Sequence, residues 1–219
     1  MKYEAVIFDL DGTLIDSMGI WSQIDNDFLT SGNIKLTEDL FEDLEGGNSF
    51  FEVAAHFKKK FNLPESMEEI IKGWMKIAYY HYENTIVLKS GVLEFLDFLK
   101  SNKIKMAIGT SNVRLLTEAV LKKNGILDYF ETIVTGENGI KGKPFPDIFL
   151  TAAKKLNVEP NNCLVIEDLT DGVKAAKNAE MSVWAIFDKF SENKKNILVE
   201  LSDNYFNNYK EMLDYIKKI

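Results

Sequence analysis

The chain has 219 residues, of which 46% are hydrophobic and 27% charged, with 34 acidic side chains against 26 basic ones and a formal net charge of −8. This is an ordinary globular composition, sized for one large domain or a core with a small insert, and no apolar run approaches the roughly 20 residues that span a bilayer. The acidic balance and the lack of a basic block argue against a nucleic-acid partner, and a lone cysteine, Cys163, excludes an internal disulfide.

The first predicted element is YEAVIFD (3–9), a buried strand that runs into two carboxylates, Asp9 and Asp11, followed by Gly12 and Thr13. The opening MKYEAVIFDLDG carries acids early and no long apolar stretch, so it does not read as a secretory leader, and a cytoplasmic location is expected. Residues 17–88 then show helical rather than strand periodicity. Ile20, Ile24, Asp27 and Phe28 fall at helical spacing, with Trp21 and Leu29 widening the stripe. Shorter helices are expected near 37–44 and 49–61, and Met67, Ile70, Ile71, Trp74 and Ala78 repeat the pattern over 66–83. The expectation is an all-helical insert over 17–88, hinged near 14–18 and 85–91, with residues 1–16 and 89–219 forming the core. His56 and His81 fall in the insert without a ligand partner at helical spacing and read as structural or surface residues.

Beyond residue 89 strand-length apolar runs alternate with helical patterns. The runs are KMAIGTS (105–111), ETIVTG (131–136), CLVIED (163–168) and VWAIFD (183–188), which with the first make five strands. They are apolar on successive residues, as strands covered on both faces are. Cys163 reads as a small buried residue of one of them. Helices are expected over 113–124, with Leu115, Leu116, Ala119 and Val120 on one face and Gly125 as a stop, over 146–156, and over 172–179. The alternation predicts an α/β fold, a parallel sheet with helices on both faces.

In such a sheet ligands bind beyond the carboxyl ends of the strands. There Asp9, Thr110 with Ser111, and Glu167 with Asp168 would converge, and Lys143 in GIKGKPFPD lies in a loop that reaches the same place. Crowded carboxylates are tolerated around a hard divalent cation, and few carboxylates plus substrate phosphate and water suit magnesium. The cation would also draw in an anionic substrate against the net negative charge. No GxxxxGK[ST] or post-strand GxGxxG is present, and a carboxylate stands where those families place glycine-rich loops. An aspartate in that place can form a covalent acyl phosphate.

DLDGT at 9–13 resembles the signature of the haloacid dehalogenase-like superfamily of hydrolases, mostly phosphatases. Thr110 after an apolar strand, Lys143-Pro144 and VIEDLTDG (165–172) resemble its further motifs in order. KPFPDIF and the helical insert resemble the β-phosphoglucomutase-like branch and its cap, so the likeness covers essentially the whole chain. It implies a Rossmann-like core with an inserted helical cap. It also implies Asp9 as nucleophile and metal ligand, and Asp11 as general acid and base whose main-chain carbonyl also meets the metal. Thr110, Lys143 and the backbone of Ser111 and Asn112 would hold phosphate. Asp168 would ligate Mg2+, and Glu167 would do so directly or through water. Asp171 reads instead as an acid in the first turn of a helix.

The chain departs from the family pattern in three places. Leu169 stands where a serine is usual, Ser49 in EGGNSF where the mutase carries an arginine for a distal phosphate, and Trp21 where it carries a histidine. Trp21 packs in the insert or lines the pocket, and Gly46-Gly47 either approach substrate or join two helices. The resemblance implies a magnesium-dependent phosphatase for a small phosphorylated metabolite, working as a monomer, with a phosphomutase or a catalytically silent phosphate binder as the other readings. Thr110, Lys143 and the metal acids suit phosphate better than an organic halide.

Overall fold

The computed structural model describes residues 2–31, 50–137 and 139–219. The expected helix at 37–44 and the loop carrying Gly46, Gly47 and Ser49 lie outside the described residues. The elements run β1 (Ala5–Phe8), α1 (Met18–Ser31), α2 (Phe50–Phe61), α3 (Met67–Asn84), α4 (Val92–Ser101), β2 (Lys105–Thr110), α5 (Arg114–Lys123), β3 (Thr132–Thr135), α6 (Asp147–Leu156), β4 (Cys163–Glu167), α7 (Thr170–Asn178), β5 (Ser182–Ile186), α8 (Lys195–Leu201), β6 (Asn204–Phe206) and α9 (Tyr209–Ile216).

The strands form one parallel sheet in the order β3-β2-β1-β4-β5-β6. β1 is buried along its whole length because helices cover both faces. Its side chains alternate. Val6 and Phe8 join a large cluster with Ile108, Ile166, Trp184 and residues of α4, α5 and α9, while Ala5 and Ile7 join a second one with Ala107, Val165, Val183 and residues of α6 and α7. The strand order reverses at β1, so a crevice opens beyond its carboxyl end. Register makes the crevice polar. Phe8 lies level with Ile108 and Ile166, so Asp9, Thr110, Glu167 and Asp168 all follow the last apolar pairs.

The expected five strands are all present, shortened by one or two residues at some ends, and a sixth, β6, extends the sheet. β6 is three residues long and only partly buried, too short for a period-2 pattern to show. Helices α4, α8 and α9 also add to the predicted set. The face of α5 differs from expectation. Leu115 is 57% exposed, and the helix buries Leu116, Thr117, Val120 and Leu121 instead. Four-residue steps from Leu116 to Val120 and from Thr117 to Leu121 set this stripe, one position on from the one drawn through Leu115 and Ala119.

The helical segment after β1 packs around α3, which touches α1, α2 and the core helix α5. α3 starts at a capping box in which Ser66 and Glu69 satisfy each other's backbone amides. Its buried stripe is Ile70, Trp74, Ala78 and Tyr82. Phe57 of α2 meets Trp74 edge-on with ring centroids 5.0 Å apart. These side chains belong to the same apolar cluster as Leu10, Leu14 and Ile15 beside the sheet. The segment leaves and rejoins the core through paired connections. Ile15 bridges antiparallel to Leu88, Asp16 N–H donates to Val87 O at 3.0 Å, and Lys89 N–H donates to Leu14 O at 2.9 Å. Among the described residues no helix is long and apolar enough to cross a membrane.

Phe57 is fully buried, so Phe57→Ala should cost about 3–5 kcal/mol. A urea titration showing less than about 1 kcal/mol would mean that α2 does not contribute its anchor to the common core.

Candidate active site

Asp9 is the first residue beyond β1, and its amide donates to Ile166 O at 3.0 Å, so the ladder continues one residue past the strand and fixes the side chain at the crevice. Lys143, from the loop before α6, donates to Asp9 Oδ1 at 2.6 Å and to Glu167 Oε1 at 2.5 Å. All three side chains are nearly inaccessible. Burial would lower the Lys143 pKa, but the Asp9 and Glu167 charges outweigh it and hold the ammonium above the ordinary lysine range. Asp9 is raised from 3.8 to about 7, chiefly by burial, with Lys143 opposing and Glu167 and Asp11 adding to the rise.

Glu167 is held from two sides. Oε1 takes Lys143, while Oε2 accepts the Asp168 and Leu169 amides at 2.9 and 3.0 Å where α7 begins. Its carboxylate lies against Gly172, where an added Cβ would come within 1.8 Å of Oε1. Asp168 is fully buried. Oδ1 accepts from Thr13 Oγ1 at 2.9 Å, and Oδ2 has no hydrogen-bond partner. Burial, then Glu167 and Asp9, push its pKa well up. Gly12 makes room for it. At φ +79 it adopts the left-handed backbone that glycine allows, and a Cβ there would sit 2.3 Å from Asp168 Oδ2.

The carboxylates of Asp9, Glu167 and Asp168 each offer an oxygen, all within 4.8 Å of one another. An unpartnered buried carboxylate oxygen within an all-oxygen set fits a hard divalent cation. The Asp11 carboxylate is not in this trio. It turns to Ser17 Oγ, which donates to Oδ1 at 2.6 Å, to the Tyr82 hydroxyl, and to Asn112 Nδ2, which donates to Oδ2 at 2.7 Å. Only the main-chain carbonyl of Asp11 was expected to meet a metal.

Thr110 is buried at the end of β2, and its Oγ1 accepts the Asn112 amide at 3.1 Å. That amide, expected to face phosphate, is thus engaged, and the Asn112 side chain serves Asp11 instead. Ser111 Oγ is buried without a hydrogen-bond partner. The structure therefore brings Asp9, Asp11, Thr110, Asn112, Lys143, Glu167 and Asp168 to one crevice. Asp171 lies in the first turn of α7 and pairs with Lys174, as expected for a helix acid. Trp21 is half-buried and meets Tyr82 edge-on at 5.9 Å, so it borders the Asp11 network as well as packing on the core. Sequence reasoning passed over Ser17, Tyr82, Thr13 and Gly172. Tyr82 had a readable signal, since it extends the stripe Ile70, Trp74, Ala78 by one further step of four.

Two outcomes follow from this geometry. Gly172→Ala should displace the Glu167 carboxylate and with it Lys143, weakening binding of divalent cation at least about 10-fold by calorimetry. An unchanged affinity would mean that Glu167 does not shape the site. The raised Asp9 pKa also has a stability consequence. The proton that Asp9 keeps in the fold supports the native state fully below about pH 4, and that support is lost as pH rises through about 7. In chelator, the melting temperature of wild type should therefore fall relative to Asp9→Asn between about pH 4 and 8, and millimolar magnesium should close the gap. Parallel melting curves across that range would contradict it.

A family model described as haloacid dehalogenase-like hydrolase matches residues 6–186. The phosphorylated carbohydrates phosphatase of Thermotoga maritima is 29% identical over 217 residues, covering 99% of each chain. Hexitol phosphatase B of Escherichia coli K12 is 28% identical over 179 residues, 81% of this chain and 80% of that one. The crystal structure of β-phosphoglucomutase from Clostridium difficile superposes with a TM-score of 0.80 at 25% identity, covering 99% of this chain and 96% of the other. With its acidic trio, its buried lysine and its parallel sheet in place, the chain belongs to the haloacid dehalogenase-like hydrolases.

Proposed function

We propose that the protein is a magnesium-dependent phosphatase that hydrolyses a small phosphorylated metabolite, a sugar phosphate or similar phosphomonoester, through a phospho-Asp9 intermediate. The observation that carries this reading is the Asp9 carboxylate, bonded to the buried Lys143 ammonium and grouped with Glu167 and Asp168 beyond β1. Phosphatase relatives that act on phosphorylated carbohydrates and hexitols support the substrate class.

In the first step an Asp9 carboxylate oxygen attacks phosphorus. The P–O bond to the alcohol breaks, and the leaving oxygen takes the proton held by the Asp11 carboxyl. In the second step water attacks the aspartyl phosphate and gives its proton to Asp11. The bond between phosphorus and the Asp9 oxygen breaks, so phosphate leaves and both carboxyl groups return to their starting states. Lys143 and Thr110 hold the phosphoryl oxygens and place phosphorus in line with Asp9. Mg2+ held by Asp9, Asp168, Glu167 and the Asp11 carbonyl would neutralise charge on the carboxylates and the transferring group. Residues 17–88 serve as a cap that covers the crevice and selects the alcohol.

A phosphomutase would return the phosphoryl group to substrate rather than to water. Ser49, at the position matched to the mutase's arginine, offers no charge to a distal phosphate, which favours water as acceptor.

The test is phosphate release from sugar phosphates, nucleotides, phosphoglycolate and p-nitrophenyl phosphate, with magnesium, with chelator, and with Asp9→Asn. Metal-dependent release that falls by about 10³-fold or more in the variant is expected. Full activity in Asp9→Asn would exclude the nucleophile, and isomerisation faster than phosphate release would replace hydrolysis by a mutase.

A further inference from the structure

We infer that Tyr82 is a positioning residue for the Asp11 carboxyl, and that its hydroxyl leaves Oδ2 as the Asp11 atom that exchanges the proton. The inference rests on the acid-base reading of Asp11 above and adds the side chain that aims it.

An ionised carboxylate has about four acceptor sites, two on each oxygen. Asp11 Oδ1 accepts from Ser17 Oγ at 2.6 Å and from the Tyr82 hydroxyl, so both of its sites are taken. Oδ2 accepts only from Asn112 Nδ2, at 2.7 Å. One site on Oδ2 therefore stays open, and a leaving oxygen or a water can use it.

The direction of each hydrogen in the network can be worked out. Asn112 Oδ1 accepts the Val113 amide at 2.7 Å, which orients the side-chain amide with its NH2 toward Asp11 and Tyr82. Those two hydrogens go to Asp11 Oδ2 and, at 2.9 Å, to the Tyr82 oxygen. With the Asn112 NH2 donating to it, the Tyr82 oxygen has its own hydrogen left for Asp11 Oδ1. Each chain of donors in the cluster thus ends on the same carboxylate.

The phenol is also fixed in space. Tyr82 is fully buried at the end of the α3 stripe, and its ring meets Trp21 edge-on at 5.9 Å. A carboxyl held by three donors from Ser17, Tyr82 and Asn112 has one rotamer available, which is the condition for efficient proton transfer to a positioned oxygen.

The experiment compares Tyr82→Phe with wild type on two substrates, p-nitrophenyl phosphate and the best alkyl phosphate from the panel above. An alkoxide needs a proton to leave, whereas nitrophenolate leaves without one. Tyr82→Phe keeps the ring and removes only the hydroxyl. It should lower kcat on the alkyl phosphate about 10- to 100-fold with KM within about twofold, while the initial burst of nitrophenolate stays within about threefold of wild type. Ser17→Ala removes the other Oδ1 donor and should show the same split in smaller measure. It carries the test alone if Tyr82→Phe fails to fold. Equal losses on both substrates would reduce Tyr82 to a packing residue, and unchanged alkyl turnover would remove it from the mechanism; either result overturns the inference while leaving an active wild-type hydrolase. A wild type that releases phosphate from neither substrate would overturn the hydrolase reading itself and this inference with it.

Discussion

Lys143 donates to Asp9 at 2.6 Å and to Glu167 at 2.5 Å, and this buried ammonium is the positive charge that holds the two carboxylates together beyond β1. One cation does not balance three buried acids. The surplus shows as the raised pKa of Asp9 and Asp168 and as the unpartnered Oδ2 of Asp168. The site is therefore built short of positive charge, and the fold supplies the stability that this shortage costs. The sheet is buried on both faces, and β1 is paired on both edges, which keeps the acids from moving apart.

The small residues around the acids follow from the same crowding. Gly12 leaves room for Asp168, and Gly172 leaves room for Glu167. Thr13 offers a hydroxyl to Asp168 Oδ1, and the start of α7 offers two amides to Glu167. The carboxylates are thus oriented by short, stiff groups of the backbone and its nearest side chains. A second set of contacts, through Lys89 to Asp188 at 2.9 Å and to Phe187 O at 2.8 Å, ties the returning connection to the end of β5 beside this cluster.

The strands and the acids were legible in the sequence because each rests on local information. A parallel strand covered on both faces is a continuous apolar run, and the polar residue that ends it marks the crevice, so Asp9, Thr110, Glu167 and Asp168 could be read from their neighbours alone. The distinctive DLDGT tied them to a chemistry. The partners of Asp11 were not legible in the same way. Tyr82 and Asn112 lie 71 and 101 residues from it in the chain, and only the packing of α3 against α5 brings them together. Asn112 was read for its backbone, while its side chain does the work that the structure reveals. The α5 face was misjudged at Leu115 because a stripe of apolar residues on a short helix can be drawn one position either way. β6 escaped because three residues, of which Phe206 alone is buried, carry no period, whereas α9 was passed over although Tyr209, Met212 and Ile216 fall at helical spacing; the aromatic packing of Trp184, Phe206 and Tyr215 that joins them is a tertiary contact.

The chain leaves the core at residues 14–16 and returns at 87–89, and the two connections are hydrogen-bonded to each other. The ends of the intervening segment are held together by the core, so the loop-closure entropy of that segment is met there and grows only slowly with its length. What lies between the connections can change in size, helix count or lining without altering the register of the sheet or the spacing of the acids. The spacing of the acids on β1 and β4 is thereby insulated from change in the intervening helices, whereas the Asp11 carboxylate is not, because Ser17 and Tyr82 of that segment bond it.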